Sequence, residues 1–520
     1  MSPGDLSAAA DAYVEALGEG LRAEFAITAL DPVGLPVAAT WWRVDGAATG
    51  GVGYGATDEQ ARVGALGETV ENAASALAVP AMRPVEASRA ELVRRLGGDR
   101  VVDPTRLGLP AGARYDDERP LRWLSMRRVR VPAPGSGSGA GSGPGSLPGP
   151  LPQDLLDGEE VHVPAEFVAS APGELVPSAG REPLVVPVTN GLGAGLTAER
   201  AVLHAVLEIL QRDGNGLTFR ALDAGRVLDL DAVADPGTLD VLARLCAAGV
   251  DVVAKLAATD FGLPNVYVVG RAAGDDLVTA TACGEAVHPD RDVALRKAVL
   301  EFASARARKR FMHGPLAAVA EVASPGYLDD VLPAVDPAGE ERRVLDATVA
   351  WLGDPSPRVE ERLAATVFSR RTSTPFAALP TVPSQEVADP ADALRLVLGR
   401  LAAQGFEVLV ADLSPAGGSG VRVVKALVPG LEVETVAYGR IGERNVGRLL
   451  AAGRDDLVHV GPSGRGRDRV ALPPGAQERL GGPAWLDRAA LAALTADLLP
   501  LYREPGRHAA QLVLRGTRTP

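Results

Sequence analysis

Glu68 and Glu71 stand three positions apart in GALGETVEN, so a helix through this stretch projects both carboxylates from one face. In AVLEILQRD, Glu208 shares a face in the same way with Gln211 and Arg212. Carboxylates that converge repel one another unless a cation lies between them, and a hard oxygen site of this kind suits Mg2+ carrying bound phosphates. The plain alternative is that these glutamates simply face water, as most helical glutamates do. Apolar neighbours of Glu208 (Leu207, Ile209 and Leu210) favour a buried site.

The elements that must carry these acids form an internal repeat. TDEQARVGALGETVEN from Thr57, TAERAVLHAVLEILQR from Thr197 and DRDVALRKAVLEFASA from Asp290 superpose. In each, an Ala (Ala61, Ala201, Ala294) is followed seven positions later by a Glu (Glu68, Glu208, Glu301), and a second Ala (Ala65, Ala205, Ala298) precedes that Glu by three. Each segment has helical periodicity and opens on Thr or Asp, residues that cap the orphan amides of a first turn. The β-rich runs VAATWWRV, EPLVVPVTN and DDLVTATA precede the helices, with the glycine-bearing turns GVGYGA, GLGAGL and CGEAVH between run and helix. The unit predicted is strand, glycine turn, helix, in an α/β body built by duplication. Solenoid spacing is excluded, because 140 and 93 residues separate the equivalent glutamates.

Glycine turns before helix N-termini can cradle phosphate, but they serve equally as tight strand-to-helix turns. No GK dipeptide, GxSxG or HExxH occurs, which excludes a Walker loop, a hydrolase elbow and a zincin site. Cys246 and Cys283 are the only cysteines and are far apart, so neither a zinc cluster nor a disulfide framework is expected. A net charge of −13 argues against nucleic acid as a partner. No basic start with an apolar core opens the chain and no apolar run approaches membrane-spanning length, so a soluble, cytoplasmic protein is expected, with no membrane partner. Residues 132–152, rich in Gly, Ser and Pro, read as a flexible, disordered loop. Beyond Pro383 a helix (ADALRLVLGRLAAQG) and two strands (FEVLVADLS, GVRVVKALVPG) are predicted.

These blocks, in order, resemble the YcaO family from about Phe25 to Leu450. GVGYGATDEQARVGALGETVEN is similar to that family's first nucleotide-site segment, and TNGLGAGLTAERAVLHAVLEILQRD to its most characteristic block. AVHPDRDVALRKAVLEFASARARKRF, VVKALVPGLEV and YGRIGERNVGRLL resemble later blocks. The resemblance implies a YcaO-like α/β body with mixed sheets over 25–450, an N-terminal extension over 1–24, and a C-terminal extension over 451–520 packed on the body. It implies ATP and Mg2+ as cofactors, and transfer of phosphate from ATP to a backbone amide oxygen of a ribosomally made precursor peptide. The product would be an azoline, a thioamide or an amidine. Little covalent chemistry then falls to the protein, which positions groups and offsets charge.

Carried over residue by residue, Glu68, Glu71 and Glu208 match metal ligands and Arg212 a phosphate-contacting cation. Gln211 replaces a second Glu and can ligate through its amide oxygen without the charge. Arg200 stands where the family has Glu and can contact phosphate itself. Gly64 and Gly193 take positions where Ser is usual, Asn72 that of an Arg, and Leu196 that of an Asn. These departures sustain a second expectation: a diverged subunit that binds a precursor peptide or partner without turning over ATP. A dinucleotide-dependent oxidoreductase would rest on the glycines alone. A separate partner protein, leader-binding or TfuA-like, is expected to deliver the peptide or the sulfur, and a homodimer is among the assemblies allowed.

Overall fold

The computed structural model describes residues 3–44, 46–131, 151, 155–175, 182–216, 220–353, 356–432, 438–463 and 466–517. Of the segment 132–152 read as a flexible loop, all but Leu151 lies outside the described residues. The chain forms two compact units, each discontinuous in sequence: residues 1–73, 218–381 and 494–520, and residues 74–217 and 382–493.

In the first unit, Leu21–Ala26, Val37–Val44 and Ala47–Thr49 form an antiparallel sheet on which Val52–Tyr54 also pairs with Val37–Val44. A second sheet runs Cys283–Val287, Asn265–Ala272, Val250–Ala258, Arg226–Asp229, Thr372–Pro375, antiparallel except for its last pair. The helix Arg291–His313 buries Ala294, Leu295, Ala298, Val299 and Phe302 against Leu256, Val266 and Val268 of that sheet. Scarce aromatics leave this core aliphatic, as the composition requires.

In the second unit, Val85–Ser88, Pro120–Arg128, Leu409–Asp412, Arg422–Leu427 and Leu192–Gly195 lie side by side, all antiparallel, with Glu160–Pro164 also on Pro120–Arg128. The helix Ala198–Asn215 packs on the strands Leu192–Gly195 and Arg422–Leu427 and on the helix Pro390–Ala403. That last helix and the strands Leu409–Asp412 and Arg422–Leu427 fall where the sequence predicts them, and Gly405 follows with φ +79°. Val458–Val460, Ala484–Leu486 and Asp468–Arg469 make a separate small sheet of three strands.

All three repeat helices exist: Asp58–Ala81, Ala198–Asn215 and Arg291–His313. Their caps are as predicted, with Thr57, Thr197 and Asp290 side chains accepting from Gln60 N, Arg200 N and Asp292 N. Thr197→Ala is expected to cost about 1 kcal/mol, measurable as a lowered urea midpoint, because Arg200 N then loses its acceptor.

The repeats differ from the prediction in where the strand lies. The glycine segments are not turns but strands: Val52–Tyr54, Leu192–Gly195 and Cys283–Val287. Of the runs read as strands, VAATWWRV is one, the described residues of EPLVVPVTN have no strand, and DDLVTATA holds the short helix Leu277–Ala280. The reason is steric. A Cβ on Gly53 would fall onto Ala61 O and Ala65 N, one on Gly193 onto Ala201 O, and one on Gly284 onto Ala298 O and Phe302 N. The repeated alanines and glycines are the two sides of one close strand–helix approach.

Candidate functional site

The recurring glutamate completes that approach. Glu68 Oε2 accepts from Val52 N at 2.8 Å, Glu208 Oε2 from Gly191 N at 2.9 Å, and Glu301 Oε2 from Glu285 N at 3.0 Å. Each therefore ties its helix to the adjoining glycine segment through a backbone amide, leaving the other oxygen's direction fixed. The carboxylates are less buried than their apolar neighbours suggest: Glu68 is exposed, and Glu71 and Glu208 are partly so. A helical residue between buried Leu207 and Ile209 still lies off their faces, which is why neighbours in sequence mislead here.

In the first unit, Glu68 lies on the first repeat helix, and Glu301, on the third, shares its electrostatic environment through Tyr54. The Tyr54 phenol is pushed well above its usual range by burial and then by Glu301 and Glu68. Arg308, two turns beyond Glu301, is held charged chiefly by Glu504, with Glu68 contributing. Glu504 meets Arg308 Nη2 and Lys309 Nζ at 2.8 Å each, and His313 Nε2 at 2.9 Å. Burial acts to raise Glu504, but these three neighbours hold it well below the usual carboxylate range. Tyr54, Glu301, Arg308 and Glu504 were not singled out as site residues from sequence. Glu301 was visible as the third copy of the repeat, whereas Glu504 is distant in sequence and carries no motif.

In the second unit, Glu208, Gln211 and Arg212 share one face of their helix as predicted, with Arg212 Nη2 3.6 Å from Glu208 Oε1. Arg200 and Leu196 are exposed at the start of the same segment. A buried lysine, Lys425, faces this region from the neighbouring strand, where it is paired with Leu192. Burial pushes its ammonium down to about 8, opposed by Glu208 and Glu174. Ser75 Oγ donates to Ser170 Oγ and to Glu174 Oε2, and Lys425 Nζ donates to Val188 O. Asp213, which closes the same block, serves as an anchor, accepting from Arg444 Nη2 and Arg448 Nη2 at 2.8 Å each.

The departures Gly64 and Gly193 follow from the packing. A Cβ on Gly64 would come within 3.2 Å of Gly53 Cα, and at Gly193 there is no room for one.

The sequence pattern of the YcaO cyclodehydratase family, described as ATP- and Mg2+-binding, matches residues 52–432. The chain belongs to the YcaO family. An uncharacterised protein of Methanothermobacter thermautotrophicus is 27% identical over 428 residues, covering 80% of this chain and 91% of the relative. A Rhizobium leguminosarum bv. trifolii protein, described as uncharacterised and lying in the tfuA 3' region, is 27% identical over 309 residues, 58% of this chain and 64% of its own length. The YcaO of Methanopyrus kandleri, solved with AMPPCP and Mg2+, superposes with a TM-score of 0.52 at 20% identity, over 81% of this chain and 89% of that one. The fold is thus the YcaO α/β fold, and the family to which the chain belongs is one of cyclodehydratases described as binding ATP and Mg2+. No helix among the described residues is long and apolar enough to cross a membrane.

Among the described residues no group of three or more His, Cys, Asp or Glu stands together as a cage. Glu68 and Glu71 on one helix, and Glu208 with Gln211 on another, are hard oxygen donors of the kind that Mg2+ takes beside substrate phosphates and waters.

Proposed function

We propose that this YcaO protein uses ATP and Mg2+ to activate a backbone amide of a ribosomally made precursor peptide, with a separate partner protein delivering the peptide or the sulfur. Glu68, Glu71 and Glu208 would ligate Mg2+, and Gln211 would add a neutral amide oxygen. Arg212 would contact phosphate, and Arg200 would supply a second cation in place of a carboxylate. Bound Mg2+–ATP would supply the phosphoryl group that turns the amide oxygen into a leaving group; the chain's own residues would hold charge and geometry. The observation that carries this reading is the fixed orientation of Glu68 and Glu208, each tethered through one oxygen to a backbone amide of the adjoining glycine segment. The R. leguminosarum relative, which lies in the tfuA 3' region, supports a TfuA-like partner.

Calorimetric titration of Mg2+–ATP into the full chain tests the nucleotide assignment. Glu208→Gln keeps an acceptor for Gly191 N and removes only the charge, so binding should weaken at least tenfold. Glu301→Gln makes the same structural change outside the assigned set and should leave binding within about twofold. Absence of binding by the wild type would overturn the enzymatic reading. It would leave a diverged subunit that binds precursor peptide or partner, the reading that Gln211, Leu196 and Arg200 favour.

A further inference from the structure

Lys425 lies on the strand Arg422–Leu427 with 1% of its surface exposed. Its ammonium donates to Val188 O at 2.6 Å and to Ser170 Oγ at 3.4 Å, both neutral acceptors. The next residue of the strand, Ala426, donates its amide to Gly191 O at 2.7 Å. Gly191 N in turn donates to Glu208 Oε2 at 2.9 Å. Residues 188–191 are thus gripped by the ammonium at one end and joined to the Glu208 carboxylate at the other. Ile209, the neighbour of Glu208 in its helix, lines one cavity with Lys425 and Val188. Carboxylate and ammonium therefore stand on two sides of the same short segment.

The charges around this ammonium say what it does. Glu208 and Glu174 attract it, Arg440 repels it, and Glu166 lines the same cavity. Arg440 has Glu432 as its own acid. Glu174 is engaged by hydrogen bonds from Ser75 Oγ at 3.0 Å and Ser170 N at 2.8 Å. Glu208 has two cations near it. Arg212 Nη2 reaches Oε1 at 3.6 Å from the helix surface and is the group assigned to phosphate. Lys425 is different, because it is enclosed and pinned on Val188 O, so its charge cannot turn away. A fixed positive charge beside a carboxylate lowers what that carboxylate gains from a further cation.

We propose that Lys425 is the resident counter-ion of Glu208, and that its fixed charge sets how strongly this carboxylate draws a divalent cation. The inference rests on the assignment of Glu208 as a Mg2+ ligand. It makes Lys425 a positioning residue that acts through Glu208. Without metal, the ammonium offsets the carboxylate's charge and holds the segment that orients it. A divalent cation at Glu208 is then held less tightly than by the carboxylate alone.

The test uses the full chain and Mn2+ without nucleotide, since Mn2+ shares the preference of Mg2+ for oxygen ligands and its free-ion paramagnetic resonance signal falls on binding. At pH 6.5 the ammonium, pushed down to about 8 by burial, still carries its proton. The binding to be read is the part lost in Glu208→Gln. Lys425→Met should tighten it about threefold or more, a gain limited by the partial exposure of Glu208. Lys425→Gln keeps an N–H for Val188 O and should tighten it likewise, which carries the test if the Met variant does not fold. Lys425→Arg keeps the charge and should stay within about twofold of the wild type. A loosened fold would weaken binding in every variant, so a gain confined to the neutral ones separates charge from structure. Glu208-dependent binding seen only in the neutral variants supports the inference equally. It is overturned if neither neutral variant binds more tightly than the wild type, or if the gain survives in Lys425→Met/Glu208→Gln. The Mg2+–ATP titration decides the nucleotide assignment by itself, so the two failures are told apart.

Discussion

Asp213→Ala should destabilise the folded chain by about 3–5 kcal/mol, the usual consequence of removing one member of a buried ion-pair network. Asp213 is 1% exposed. Its carboxylate binds Arg444 and Arg448, and Oδ1 also accepts Glu432 N at 2.8 Å. Glu432 in turn accepts Gly442 N at 2.6 Å and Asn445 N at 3.0 Å, so one network fastens the helix Glu443–Ala451 to the second repeat helix. A lowered urea midpoint at unchanged slope measures the loss. If the loss is below 1 kcal/mol, the arginines are solvated well enough without Asp213 and the network is not what holds this helix. Arg448→Met in the Asp213→Ala background should then cost much less than Arg448→Met alone, because the two share one interaction.

The same network sets a pH dependence. Burial acts to raise Asp213, but Arg448 and Arg444 overcome it and hold the carboxyl below its usual value. Its contribution is therefore present above the unfolded carboxylate pKa and disappears as pH falls through the lower folded one. Glu432 runs the other way. Burial first, with Asp213 adding to it, pushes Glu432 up to about 7. Between the unfolded value near 4.3 and about 7 the folded chain binds a proton that the unfolded chain has released, so stability falls as pH rises through that window, by roughly 3 kcal/mol. Unfolding free energies at pH 5 and pH 8 measure it, and a flat profile would mean that Glu432 stays ionised throughout.

Much of this was legible in the sequence because it was encoded locally. The caps at Thr57, Thr197 and Asp290, the helix and strands after Pro383, and the face shared by Glu208, Gln211 and Arg212 all follow from spacing within one element. What misled was the glycines. A Gly-x-Gly stretch before a helix reads as a turn when backbone freedom is the only use of glycine considered. Here Gly53 and Gly193 lie in strands and are needed for the absence of a side chain. Residues whose meaning depends on distant partners were out of reach altogether. Lys425 reads as one residue of a β-rich run, and its burial arises from packing beside Ser170 and Val188, some 240–260 residues earlier in the chain. Asp213 reads as the polar end of a helix until Arg444 and Arg448 are seen to reach it.

The glycine of each repeat gives the second large expected effect. Gly284→Ala should cost about 3 kcal/mol, since the new methyl would fall on Ala298 O and Phe302 N, both backbone atoms of the third repeat helix. A flexible side chain could swing away, but a helix backbone held by its own hydrogen bonds cannot, so the strand Cys283–Val287 must move and strain the Glu301–Glu285 tether. Gly53→Ala and Gly193→Ala should behave alike, because their obstacles are again the helix atoms around the paired alanines. Gly447→Ala is the internal control: it lies within the helix Glu443–Ala451 with nothing within 4 Å of a new Cβ, and should gain up to about 1 kcal/mol from helix propensity alone. Urea midpoints for the four variants decide the matter. Losses at all three repeat positions with a gain at Gly447 would establish that the Ala-to-Glu repeat encodes close strand–helix contact first. Any Mg2+ chemistry at Glu68 and Glu208 would then be built on a tether that Glu301 shares without being assigned a ligand role. A neutral Gly284→Ala would instead mean that the strands can lift off their helices, and the glutamate tether could not then be what orients the carboxylates.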